Sequence, residues 1–114
     1  MRRGEIRLID LDPTKGAEAN KRRPAIIVSN DGANTTAARL GHGVVTVVPV
    51  TSNIEHVYPF QVLLDATATG LDRDSKAQAE QVRSVAVERI GALGTLTGQL
   101  ASELDEALRF HLSQ

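Results

Sequence analysis

No cysteine occurs in these 114 residues, which excludes a disulfide framework, a thiol nucleophile and a thiolate-held zinc site together. Tryptophan is also missing and aromatic residues make up only 3%, so the core must be assembled from Val, Ile, Leu and Ala. With only Tyr58, Phe60 and Phe110 available, the composition argues against an aromatic platform on which the bases of a single strand stack. No stretch reaches the length that crosses a bilayer, so no membrane partner is expected. The start of the chain has Arg2 and Arg3 but then Glu5, Arg7 and Asp10 where a secretory leader needs an apolar run, and a cytoplasmic protein is expected. Gly91-Ala92-Leu93-Gly94 lacks the lysine and the strand-to-helix setting of a phosphate loop. His42, His56 and His111 stand too far apart for metal-ligand spacing and have no carboxylate cluster beside them, so neither cofactor nor metal is expected.

Excess charge of one sign is missing too. The formal net charge is −1, which speaks against a broad basic surface. The distribution says more than the sum: the first sixty residues carry 8 Lys+Arg against 6 Asp+Glu, the remainder 5 against 8. Basic residues gather at Arg2, Arg3, Lys15 and Lys21-Arg22-Arg23, with Arg73, Lys76 and Arg83 later. Scattered surface charge accounts for most such residues, but a three-residue cluster beside a proline and an apolar run is less ordinary.

The length suits one domain, residues 1–114, with no repeat, linker or low-complexity segment to divide it. Residues 4–11 alternate in part, with Ile6, Leu8, Ile9 and Leu11, and read as a half-buried strand closed by Pro13 and Gly16. A polar loop follows over roughly Asp12 to Arg23, and Pro24 then opens a strand over Ala25–Ser29. A short helix is expected around Thr35–Leu40, a central strand at Val44–Val50, a further strand at Tyr58–Leu64 and a helical turn within Ala66–Leu71. Ser75–Arg83 alternates and reads as a strand. Thr97 stands at an N-cap position ahead of Leu100, Leu104, Ala107, Leu108 and Leu112, whose spacing makes an amphipathic C-terminal helix. This order predicts a small α+β domain, mainly β, on a strongly curved or barrel-like antiparallel sheet.

Two places carry chemistry. Lys21-Arg22-Arg23-Pro24 leads straight into Ala25-Ile26-Ile27-Val28, which sets a guanidinium at a strand mouth, and Val47-Val48-Pro49-Val50 breaks into Thr51-Ser52-Asn53 at a strand end. A guanidinium grips two phosphate oxygens at once and stays charged, while a hydroxyl at a strand end can orient or stabilise a phosphoryl oxygen. The plainer reading is that Arg23 pairs with Asp12 or Glu18, and that Thr51 and Ser52 bond locally to backbone in a turn. A histidine pair offers a different acid/base route, although His42 lies in a Gly-His-Gly turn and His111 near a helix end. Only His56, five residues past Thr51, is close in sequence to the candidate site.

Taken together, Gly4-Glu5-Ile6, Asp10-Leu11-Asp12-Pro13, Gly16, Glu18, Arg23-Pro24 and Thr51-Ser52 closely resemble the MazF/PemK family of toxin endoribonucleases. The resemblance runs from Gly4 to the helix containing Glu103, Leu104 and Asp105. It implies the fold shared by the PemK, Kid and CcdB toxins, an SH3-like barrel with helices attached. It also implies a homodimeric, metal-independent endoribonuclease acting on single-stranded RNA, which leaves 2′,3′-cyclic phosphate and 5′-hydroxyl ends and arrests translation and growth. The implied setting is a type II toxin–antitoxin module with a MazE-like antitoxin whose acidic flexible tail competes with RNA. Carried over to this sequence, the catalytic pair is Arg23 and Thr51, with Ser52 as a further hydrogen-bond donor. An arginine with a pKa above ~12 is ill suited to be a general base, so stabilisation and proton donation to the leaving oxygen is the safer role. Glu18 would orient Arg23, and Lys15, Lys21, Arg22, Asn53, Lys76, Gln78 and Gln81 complete the expected RNA contacts. Arg7 departs from the family, which usually has a tryptophan or another large residue there. The alternatives are a CcdB-like gyrase-directed toxin, disfavoured by the C-terminal Phe110-His111-Leu112-Ser113-Gln114, and an inactive barrel that binds RNA or antitoxin.

Overall fold

The computed structural model describes residues 2–10, 22–90, 94–95 and 98–113. Strands β1 (Glu5–Asp10), β2 (Arg22–Ile27), β3 (Val44–Thr51), β4 (Gln61–Leu64), β5 (Ser75–Gln78), β6 (Arg83–Ala86) and β7 (Gly94–Thr95) pair antiparallel throughout. Three helices accompany them: α1 (Asp31–Leu40), α2 (Ala66–Thr69) and α3 (Gly98–Leu112). The sheet runs β4-β5-β3-β2-β1-β7, with β6 alongside β3. It is curved but not closed, because the outer strands β4 and β7 do not pair among the described residues; the expected barrel is therefore an open one.

Strands β1 to β3 are buried on both faces, which is why they read as nearly continuous apolar runs. One face sends Ile6, Ile26, Val48 and Val50 into a core completed by Val62 and Leu64 of β4, Ala77 of β5 and Leu104, Ala107 and Leu108 of α3. The other sends Ile9, Ala25, Ile27, Val45 and Val47 against Ala37 of α1 and Val85 of β6. The C-terminal helix has the apolar face that its spacing predicts; Thr97 lies outside the described residues.

Three expected boundaries shift for identifiable reasons. The first helix begins at Asp31 rather than Thr35, because the Asn30 side chain accepts the Ala33 amide at 2.8 Å and caps it there. β2 begins at Arg22, ahead of Pro24, since Asp10 and Ile9 of β1 pair with Arg22 and Arg23. Ser75–Arg83 is no single strand: a 3-10 turn at Ala79–Gln81 separates β5 from β6. That turn carries the chain from one stretch of β3 to another, β5 pairing with Val50 and Thr51 and β6 with Val44 to Val47.

Asn34, fully buried on α1, ties this helix to the sheet. Its amide nitrogen donates to the Ser29 carbonyl at 2.9 Å, its oxygen accepts the Ser29 hydroxyl, and the Ser29 oxygen accepts the Thr46 amide at 3.1 Å. The Arg7 guanidinium donates to Glu5 two residues back at 3.1 Å. Burial alone would raise the Glu5 carboxyl, but the Arg2 backbone and the Arg7 guanidinium outweigh it and hold the group below its usual 4.5.

Asn34→Ala strands the Ser29 partners in the interior, and we expect a loss of about 2 kcal/mol, read as a fall of roughly 10 °C in the melting midpoint by calorimetry. Because the Glu5 carboxyl is depressed in the folded state, its contribution to stability is present above its unfolded pKa and is lost as pH falls through the lower folded value. In Arg7→Met the NMR-observed Glu5 titration should move up, and the acid limb of stability should flatten.

Candidate active-site cleft

The cleft arises where β2 and β3 part. Their ladder ends at Ala25 opposite Pro49; beyond it, Pro24, Arg23 and Arg22 stay with β1, while Val50 and Thr51 turn to β5. Both strands carry a proline at the fork. Pro24 has no amide with which to extend the ladder toward β3, and Pro49 falls between Val47, paired with β6, and Val50, paired with β5, where no partner needs its missing amide. The opening is a cleft of about 580 Å³, within the ~300–1,000 Å³ usual for ligand sites. Leu8 and Pro24 form one wall, Val50, Thr51 and Ser52 another, and the stretch from Gly70 to Arg73 with Ser75 a third. Gly70 closes α2 with φ 78°, a left-handed conformation that suits glycine and turns the chain into this third wall.

Arg23, Thr51 and Ser52, separated by nearly thirty residues in sequence, thus line one cleft, and Arg22 lines it with them. Arg22 and Arg23 are exposed, and their side chains show no hydrogen-bond or ion-pair partner among the described residues. Asp10 stands opposite Arg22 in register, yet the two form no ion pair. Thr51 Oγ1 accepts the Asn53 amide at 3.2 Å, which leaves its own hydrogen available to donate elsewhere. Asn53 follows directly, exposed, its side chain accepting the Glu55 amide at 3.3 Å.

Sequence reasoning assigned no site role to Asp72 and Arg73, and counted Arg73 only among the basic residues. Their signal was a short polar run, Asp72-Arg73-Asp74, between a glycine-ended helical turn and a strand. With Arg73 the described lining holds three guanidiniums against one carboxylate, Asp72. A chain of net charge −1 therefore concentrates positive charge at this fork, where field lines focus.

Other expected contacts lie elsewhere. Lys15, Glu18 and Lys21, with Asp12 and Gly16, fall outside the described residues. Gln78 pairs with Gln61 at the end of β5 and Gln81 is exposed on the 3-10 turn; neither lines the cleft. Lys76, expected to reach a phosphate, is buried instead, and its ammonium donates to the His56 carbonyl at 2.5 Å. None of His42, His56 and His111 lines the cleft, so the histidine route finds no footing there. Among the described residues no group of three or more His, Asp or Glu side chains is placed to hold a metal, and no helix is long and apolar enough to cross a membrane.

Comparison with known proteins gives one consistent picture. Residues 2–112 match the family model described as PemK-like, MazF-like toxin of type II toxin–antitoxin system. Endoribonuclease MazF9 of Mycobacterium tuberculosis is 64% identical over 113 residues, spanning 98% of this chain and 96% of that protein. The endoribonuclease toxin MazF of Escherichia coli K12 is 37% identical over 100 residues, 88% of this chain and 79% of its own. Among solved structures, a MazE–MazF crystal structure from Deinococcus radiodurans superposes with a TM-score of 0.78 at 25% identity, covering 100% of this chain and 97% of that one. With the open, curved sheet and its C-terminal helix agreeing with these matches, the chain belongs to the PemK-like, MazF-like toxins of type II toxin–antitoxin systems.

Proposed function

We propose that this protein is the toxin of its module and a sequence-specific endoribonuclease that cuts single-stranded RNA without a metal, acting as a homodimer in the cytoplasm. A MazE-like antitoxin with an acidic flexible tail would neutralise it by occupying the basic cleft in place of RNA. The observation that carries this reading is the convergence of Arg23, Thr51 and Ser52 at the fork between β2 and β3, with Arg22 and Arg73 beside them.

The reaction follows from what such a cleft can supply. The RNA 2′-oxygen attacks the adjacent phosphorus, the bond from phosphorus to the 5′-oxygen breaks, and the products are a 2′,3′-cyclic phosphate and a 5′-hydroxyl. Negative charge builds on the equatorial phosphoryl oxygens, where the planar fork of Arg23 can hold two of them at once. Thr51, its oxygen already satisfied by the Asn53 amide, donates its proton toward the same group, and Ser52 adds a second donor. Arg23 also faces the leaving 5′-oxygen as the proton source. Among the described lining residues, Asp72 is the one carboxylate that can accept a proton; Glu18 is assigned to orienting Arg23. Lys15, Lys21, Arg22 and Asn53 then serve to hold the strand on either side of the cut. No observation supports the gyrase-directed alternative, and the relatives described above are named endoribonucleases.

Incubated with a long single-stranded RNA in EDTA, the wild-type protein should produce discrete cuts at one short sequence with 5′-hydroxyl ends. Arg23→Ala should slow cleavage by roughly 10²–10³, and Arg23→Lys should recover little of it because a point charge lacks the fork. Intact RNA in the presence of folded wild-type protein would overturn the enzymatic reading.

A further inference from the structure

Resting on that reading of the cleft, we infer that Lys76 is a positioning residue: its buried ammonium holds the segment 52–60 against the sheet and so keeps the Thr51 and Ser52 hydroxyls aimed into the cleft. Lys76 sits on β5 directly between Thr51 of β3 and Leu63 of β4. Cross-strand partners share a face, so the Lys76 side chain rises beside that of Thr51. Alternation along β5 would leave this face to solvent, yet Lys76 is only 8% exposed, because the chain leaving Ser52 folds back over it.

The contacts within that segment explain what the lysine does there. Between Ser52 and Phe60 the backbone forms neither strand nor helix, and nearly every residue is exposed. Its hydrogen bonds from Asn53 to Thr51 and from Glu55 to Asn53 are local and tie it to nothing else. Two longer-range ties fasten it down. Lys76 Nζ donates to the His56 carbonyl at 2.5 Å and lies 5.9 Å from the centre of the Tyr58 ring, a charge-assisted hydrogen bond and a cation–π contact from one ammonium. Tyr58 stacks on Phe60 with centroids 5.3 Å apart and planes 6° from parallel, and its amide donates to Gln61 Oε1 at 3.1 Å. Gln61 in turn donates to Glu80 at 2.9 Å. The ammonium thus clamps the middle of the segment while Gln61 holds its far end. The near end is Thr51 and Ser52 themselves. An ammonium so engaged is not available to an RNA phosphate, and its effect on the reaction passes through the loop.

The test compares the full-length wild type with Lys76→Met, which keeps the stem and removes the charge, and with Lys76→Arg, which restores a cation and donor. Hydrogen exchange should show amides of residues 53–60 opening about tenfold faster in Lys76→Met with the core strands unchanged, and Lys76→Arg should recover part of that protection. Cleavage by Lys76→Met should lose about tenfold in kcat with little change in KM, the pattern of a misplaced group. The dependence of RNA affinity on salt should keep its slope, whereas a direct phosphate contact would lower it by about 0.7. Unchanged exchange in 53–60, or a reduced salt slope, overturns the proposal. If Lys76→Met does not fold, Tyr58→Leu at an exposed position tests the same clamp from the loop side, with faster exchange expected and unchanged exchange overturning it. A wild type that binds RNA without cutting it would sink the ribonuclease reading, while the exchange measurement would still decide the clamp.

Discussion

Strand β3 has more length than any one neighbour on its outer side can cover, and the site depends on how that is resolved. It pairs with β6 along Val44–Val47 and with β5 at Val50–Thr51, so its end must bend away from β2. A residue without an amide stands on each strand at the point of parting, Pro24 on β2 and Pro49 on β3. Pro24 has no N–H to offer toward β3, so the ladder between β2 and β3 lacks a donor on that side, whereas Pro49 falls on the outer side of β3 between the stretches paired with β6 and β5. The cleft is thus a gap in a hydrogen-bond ladder, beginning past the Ala25–Pro49 pair and lined on its apolar side by Leu8, Pro24 and Val50.

A fork of this kind solves an electrostatic problem for a protein of nearly neutral net charge. Guanidiniums on strand ends are held by backbone pairing rather than by long side-chain networks, so Arg22 and Arg23 stay without partners among the described residues and remain free for an anionic ligand. Most of the chain's carboxylates stand elsewhere: Glu103 and Glu106 are exposed on α3, and Asp105 bonds Arg3 at 2.8 Å. That last pair has a separate use. Arg3 also donates to the Val28 carbonyl at 2.9 Å, and its own amide donates to Asp31 at 2.7 Å, so a single N-terminal residue joins the start of α1, the end of β2 and the C-terminal helix. An exposed ion pair contributes little by itself, but here it shares its arginine with two backbone contacts.

The two-sided core explains the rigidity the cleft requires. Because β1 to β3 are packed under α3 on one face and under α1 and β6 on the other, the strand ends that carry Arg23 and Thr51 project from a layer that cannot tilt without disturbing both cores. Residues 52–60 have no such support from secondary structure, and they lie next to the hydroxyls. Order there comes from individual side-chain contacts, which makes this the part of the site most open to tuning by substitution.

The features legible in the residues alone were those set by neighbours in the chain. Continuous apolar runs marked β2 and β3 as strands, helical spacing marked α3, and the position of Arg23 and of Thr51-Ser52 at the ends of those runs marked the candidate site. The resemblance of their order to a known family supplied the reaction. Local spacing fixes which face and which end of an element a residue occupies, and for these residues that was enough. What only the tertiary structure decided depended on pairing between distant segments. The division of Ser75–Arg83 into two strands followed from the two stretches of β3 available to it. Asp72 and Arg73 entered the cleft because β5 pairs with β3, a contact that no local pattern announces. Lys76 was expected to contact RNA and proved buried, since a loop from another part of the chain lies over its face. Periodicity records the side of a strand on which a residue stands, but what covers that side is decided by the fold.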